Sequence, residues 1–192
     1  KKNYINKYSN INFKSKDFKK KEKFALNFLD DLMKNIDYQK NFMQSLSTKY
    51  NLNFQEKKLR KFKKFKSIVL IGMGGSTLGS KAIYSFLEHK IKKKLKFLDT
   101  LDENNFLKVK RSLKFAKTLF LIISKSGNTV ETLVNMNLFS ENIFKSSNTI
   151  IITENKKNIL NNFAKTRNIT LIDHKDFIGG RFSVFSETGM LP

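Results

Sequence analysis

Three hydroxylated side chains, Ser124, Ser126 and Thr129, stand within six positions of one another, with Gly127 between them. They follow an unbroken apolar run, Leu119-Phe120-Leu121-Ile122-Ile123, and precede a stretch of helical character. Hydroxyls donate to anions and glycine lets the backbone turn sharply. A helix start adds unpaired N–H groups and the positive end of its dipole. Ser124-Lys125-Ser126-Gly127-Asn128-Thr129 is therefore a cup for a phosphate. A plain N-cap would need only one such residue. The G-x-x-x-x-G-K-[ST] spacing of a nucleotide loop is missing, so one phosphate fits the pattern better than three. Glu131, in the first turn of the following helix, either complements the dipole or holds a sugar hydroxyl or a partner side chain at the pocket edge.

A second apolar run, Ile68-Val69-Leu70-Ile71, leads in the same way into Gly72-Met73-Gly74-Gly75-Ser76-Thr77. Measured against the dinucleotide fingerprint G-x-G-x-x-G, the third glycine is replaced by Thr77, and Asp99 is only a partial match for a ribose-binding acid. A tight strand-to-helix turn stays open as the plain reading of these glycines. Near the end of the chain, Gly179-Gly180-Arg181 lets the backbone approach a ligand while presenting a permanently charged planar fork. Such an arginine suits an anionic enediolate or the oxygens of a substrate; a surface turn with a solvated arginine is the alternative. The two histidines, His89 and His174, lie among charged residues and read as solvated. No cluster has metal-ligand spacing.

These loops need strands to present them. The patterning predicts strands over 68–71, 96–100, 118–123, 148–153 and 169–172. Helices are expected over 78–89, 104–113, 130–144 and 156–165, the first with Ala82, Ile83, Phe86 and Leu87 inward. Strands alternating with helices call for a parallel sheet covered on both faces by right-handed crossovers. The loops after the first and third strands then open on one crevice at the carboxyl ends of the strands. Ahead of the sheet, 1–20 reads as an irregular arm. From Glu22 on, Phe24, Leu26, Leu29, Leu32, Met33 and Ile36 recur at helical spacing. Phe42, Met43 and Leu46 imply a second helical stretch, and 50–66 a short helix with a basic linker.

A chain of 192 residues with 40% hydrophobic content can build a substantial core. It has no cysteine, which excludes disulfides and thiolate metal sites. No apolar run approaches the ~20 residues of a membrane span, and the lysine-rich start lacks the apolar core of a signal peptide. The expectation is a soluble, cytoplasmic protein without a membrane partner. The formal net charge of +22 raises a polyanion partner. The lysines are scattered, however, through a chain equally rich in Asn, Ile and Phe, so nucleic acid is not expected.

Gly72-Met73-Gly74-Gly75-Ser76-Thr77-Leu78-Gly79, the 124–132 stretch and Gly179-Gly180-Arg181-Phe182-Ser183-Val184 together resemble three successive signature segments of the glucose-6-phosphate isomerase family. The first two alone resemble the wider sugar-isomerase domain superfamily; the third singles out the isomerase. The resemblance implies an α/β, flavodoxin-like three-layer parallel sheet preceded by N-terminal helices. It implies interconversion of glucose 6-phosphate and fructose 6-phosphate through a cis-enediol, with no cofactor. It assigns the phosphate to the loop of Ser124, Lys125 (through its backbone), Ser126, Gly127, Asn128 and Thr129, and sugar contacts to Gly75 and Ser76. Arg181 would stabilise the enediolate, and Glu131 matches an acid at the pocket edge.

The same resemblance implies an N-terminal helical extension over 1–66, a sugar-phosphate-binding domain over 67–178, and over 179–192 the start of a linker to a second such domain. That second part would carry the glutamate base, a ring-opening histidine and a lysine. The 192-residue chain is thus expected to be a fragment, inactive alone, of a protein that is a homodimer at full length. A non-catalytic sugar-phosphate sensor would share the 124–129 loop without needing Gly179-Gly180-Arg181, and a basic nucleic-acid-binding protein is the other alternative.

Overall fold

The computed structural model describes residues 15–37, 42–139 and 141–192, and the chain divides into two compact units, Lys1–Gln39 and Lys40–Pro192. Within the first, helix α1 runs over Lys16–Asn35. Ser15 starts it by accepting a hydrogen bond from Phe18 N at 3.1 Å, with Asp17 in the first turn. The helix therefore begins before Glu22 and takes in residues expected to be irregular; residues 1–14 of that arm lie outside the described ones. None of its residues is buried, and Phe24 is 74% exposed.

The second unit opens with a 3-10 helix at Phe42–Leu46, in the helical stretch expected there, and a short helix α2 at Glu56–Leu59. A five-stranded parallel sheet follows, made of β1 (Ser67–Gly72), β2 (Lys94–Leu98), β3 (Thr118–Ile123), β4 (Thr149–Thr153) and β5 (Thr170–Asp173). The strand order is β2-β1-β3-β4-β5, the doubly wound flavodoxin-like order with its switch point between β1 and β3. β3 is buried along its whole length and β1 over all but its first residue. Strands covered on both faces carry unbroken apolar runs for that reason.

Alternate residues feed two cores. Val69, Ile71, Phe120, Ile122 and Ile151 pack with Phe106 and Val109 of α4 (Glu103–Arg111), Met136 of α5 (Val130–Asn137) and Leu160 of α6 (Ile159–Thr166). Phe120, Phe139 and Phe144 meet edge to face there, with ring centroids 5.1–5.9 Å apart. On the other face Ile68, Leu70, Leu119, Leu121 and Ile123 pack with Phe62 and Phe65, and with Leu191 at the chain end. Helix α3 (Gly75–Leu87) lies against β1 on one side and against the 180–190 segment on the other.

Helix α3 departs from the expected arrangement. Its buried residues are Thr77 and Ser80, while Ala82 is exposed and Phe86 is 78% exposed. The inward face is the small, polar one, because the 180–190 segment docks there. Ser80 Oγ donates to Thr188 O at 2.8 Å, and a Cβ at Gly79 would come within 2.9 Å of Val184 Cα. Strand β2 begins two residues earlier than expected, since Lys94 already pairs with Ser67, and Asp99 and Thr100 lie past its end. Helix α5 stops at Asn137, well short of 144, and α6 starts at Ile159 rather than 156 because Asn158 caps it.

Candidate functional site

β1 and β3 are neighbours in register, Gly72 beside Ile123, so the 72–76 and 124–129 loops leave adjacent strand ends at the switch point. In the second loop Gly127 turns with φ +69°. The three hydroxyls converge: Ser124 Oγ lies 2.8 Å from Thr129 Oγ1 and 3.5 Å from Ser126 Oγ, and Ser126 Oγ 3.4 Å from Thr129 Oγ1. The oxygens of two of them are held by the loop itself. Gly127 N donates to Ser124 Oγ at 3.1 Å and Asn128 N to Ser126 Oγ at 3.3 Å. A hydroxyl oxygen engaged as acceptor keeps its proton to give. Thr129 occupies the N-cap of α5 without making a side-chain cap. Its hydroxyl is left to the cup, above first-turn amides that a helix does not pair internally.

The other loop residues are placed around this cup. Lys125 sends its ammonium away, to Asp176 O at 2.6 Å and Glu154 Oε1 at 3.4 Å, while its carbonyl accepts from Glu154 N and Thr153 Oγ1. Asn128 Oδ1 accepts from Ile159 N at 3.0 Å. Glu131 is half-buried in the first turn of α5.

The first and third glycine stretches meet directly. Gly74 turns with φ +52°, and a Cβ on Gly75, the first residue of α3, would collide with the backbone of Gly180. Ser183 Oγ bridges the two, donating to Gly180 O at 2.7 Å and Gly75 O at 3.0 Å. Ser186 Oγ and Thr188 Oγ1 both donate to Ser183 O, knotting the 180–190 segment, which ends in the short helix α7 (Glu187–Met190). Gly75 and Ser76 are half-buried, and Arg181 is exposed with its guanidinium 6.0 Å from the Phe182 ring. Asp99 pairs with Lys81 and accepts weakly from Thr77 Oγ1, so its carboxylate serves α3.

His89 is exposed as expected, but His174 is 2% exposed. Its backbone N donates to Thr153 O, and its Nδ1 lies 2.9 Å from Lys175 O, which turns the ring into the protein at the end of β5. Burial, above all, holds its pKa below the ordinary imidazole value. Sequence reasoning also missed Glu187, which is fully buried and accepts from Asn53 N at 2.9 Å and Tyr50 Oη at 3.3 Å. Burial and the Glu187 carboxylate push the Tyr50 phenol well above its usual range.

With this geometry in view, the family model for phosphoglucose isomerase matches residues 19–192. The chain belongs to the phosphoglucose isomerase family. A glucose-6-phosphate isomerase of Borrelia garinii subsp. bavariensis is 37% identical over 141 residues, covering 67% of this chain and 26% of the relative. One from Methanocaldococcus jannaschii is 35% identical over 132 residues, covering 67% and 32%. The crystal structure of a glucose-6-phosphate isomerase from Chlamydia trachomatis superimposes with a TM-score of 0.62 at 30% identity, over 70% of this chain and 27% of that one. This member of the family thus spans about a quarter to a third of the length of these relatives. The fold is that of the phosphosugar isomerases. Among the described residues no helix is long and apolar enough to cross a membrane.

Proposed function

We propose that the chain forms the phosphosugar-binding part of an isomerase that interconverts glucose 6-phosphate and fructose 6-phosphate through an enediol. Ser124, Ser126 and Thr129, with the backbone of Lys125, take the phosphate, and Gly127 and Asn128 complete its loop; Gly75 and Ser76 border the sugar; Arg181 steadies the enediolate; Glu131 stands at the rim. The observation that carries this reading is the convergence of the three hydroxyls at the switch point. The Gly75–Gly180 contact supports it by bringing the arginine segment to the loop beside the cup. Residues 67–178 serve as the sugar-phosphate domain and 179–192 as the lead into a second one, in a cytoplasmic protein that is a homodimer at full length. A base must reach the substrate carbons within hydrogen-bond distance, and in this reading the base glutamate lies outside residues 1–192.

Calorimetry with fructose 6-phosphate and a coupled isomerisation assay on the same preparation test the reading. The expected result is saturable binding, weakened in Ser124→Ala and Arg181→Ala, with no turnover. Binding indifferent to both substitutions contradicts the site. Turnover by the wild-type chain above the two variants contradicts the placement of the base.

A further inference from the structure

Asn158 lies outside the 124–129 loop, on the stretch joining β4 to α6, yet it forms the floor of that loop. Its side chain is 6% exposed. A Cβ added to Gly127 would collide with Oδ1, Cγ and Nδ2 of Asn158, so the carboxamide fills the space where a side chain at 127 would stand. The amide is also fully engaged. Oδ1 accepts from Asn161 N at 2.7 Å, capping α6, and Nδ2 donates to Thr153 Oγ1 and Glu154 O, both at 3.2 Å. Thr153 Oγ1 donates in turn to Lys125 O at 3.2 Å, which closes the circuit back on the loop.

Two more bonds join the same parts: Ile159 N to Asn128 Oδ1 at 3.0 Å and Leu160 N to Gly127 O at 3.2 Å. The amides of Ile159, Leu160 and Asn161 are thereby spent on Asn128, Gly127 and Asn158. The start of α6 is closed to a ligand and acts as a mount for the start of α5, where the cup is open.

We propose that Asn158 is a positioning residue of the phosphate site. It fixes the height and tilt of the Gly127-Asn128 peptide, whose N–H groups hold the Ser124 and Ser126 oxygens and so aim their protons. The inference rests on the phosphate reading of that loop. An uncharged amide suits the place, since it makes three hydrogen bonds without setting a negative charge beneath a bound phosphate monoester dianion.

The test uses the full 192-residue chain, inorganic phosphate as the probe, and the variants Asn158→Ser and Asn158→Asp. Serine keeps an oxygen for capping α6 but is too short to support Gly127; aspartate keeps shape and cap but loses the Nδ2 donors and adds charge. Both variants are expected to weaken phosphate binding by about tenfold, the scale on which outer partners of a binding site act. In the absence of phosphate, amide exchange at Gly127 and Asn128 is expected to quicken in Asn158→Ser, with α6 unchanged. A role limited to capping predicts wild-type affinity and wild-type loop exchange for Asn158→Ser, and either result overturns the proposal. A wild-type chain that ignores phosphate overturns the parent reading and this role with it. Binding that is equal in the wild type and both variants overturns this role alone.

Discussion

Ser124 is 1% exposed and still directs its hydroxyl to a shared point with Ser126 and Thr129. The gathering of the three hydroxyls was legible from residue types, because three of them around one glycine exceed what a helix cap needs. The partner below Gly127 was not legible. Asn158 falls inside the helix expected over 156–165, and only the parallel pairing of β3 with β4 brings it under the loop. His174 misled for a related reason: charged neighbours point to solvent, but the β4–β5 pairing turns the ring inward. The consequence is a pH dependence. Burial is the main cause of its lowered pKa; the Lys175 carbonyl and the Glu187 and Glu154 carboxylates act the other way, and Lys125 adds to the lowering. Below the ordinary imidazole value of 6.5 the unfolded chain takes up a proton that the folded chain refuses. The contribution of neutral His174 is therefore complete above that pH and lost as pH falls toward the folded value. His174→Asn is expected to lessen the drop in melting temperature between about pH 7.5 and about pH 5.5; an equal drop in both proteins contradicts the assignment.

At the scale of elements, the strands were the most legible part, since burial on both faces leaves β1 and β3 no choice but continuous apolar sequence. Helix ends were less so. They depend on caps such as Asn158 and on what docks alongside, and α3 turns Phe86 outward because the 180–190 segment takes its small-residue face. The contact of Gly75 with Gly180 is the hinge of that docking, with no room for a methyl group between them. Gly75→Ala must push the two backbones apart. The expected outcome is a loss of about 2 kcal/mol in denaturant unfolding, together with weakened fructose 6-phosphate binding as Arg181 shifts. Wild-type stability and affinity in Gly75→Ala would show that the close approach is not needed.

Over the whole molecule, the charge of +22 does not build the cup. Backbone bonds from Lys66 N to Lys117 O and from Lys94 N to Lys66 O bring three lysines together at the amino ends of β1, β2 and β3, opposite the site. Beside the cup, Lys125 is turned to Asp176 O and Glu154. In the proposed reading a phosphate is met by hydroxyls and backbone rather than by surface lysines, whose contribution salt screens more. The most direct check is an amide NMR map of the isotope-labelled chain titrated with fructose 6-phosphate at low and at physiological salt. Saturable shifts confined to 124–131, 75–76 and the Arg181 turn, present at both salt levels and lost in Ser124→Ala, are the predicted result. Shifts spread over the lysines at the amino ends of the strands, vanishing with salt and indifferent to Ser124→Ala, would contradict it.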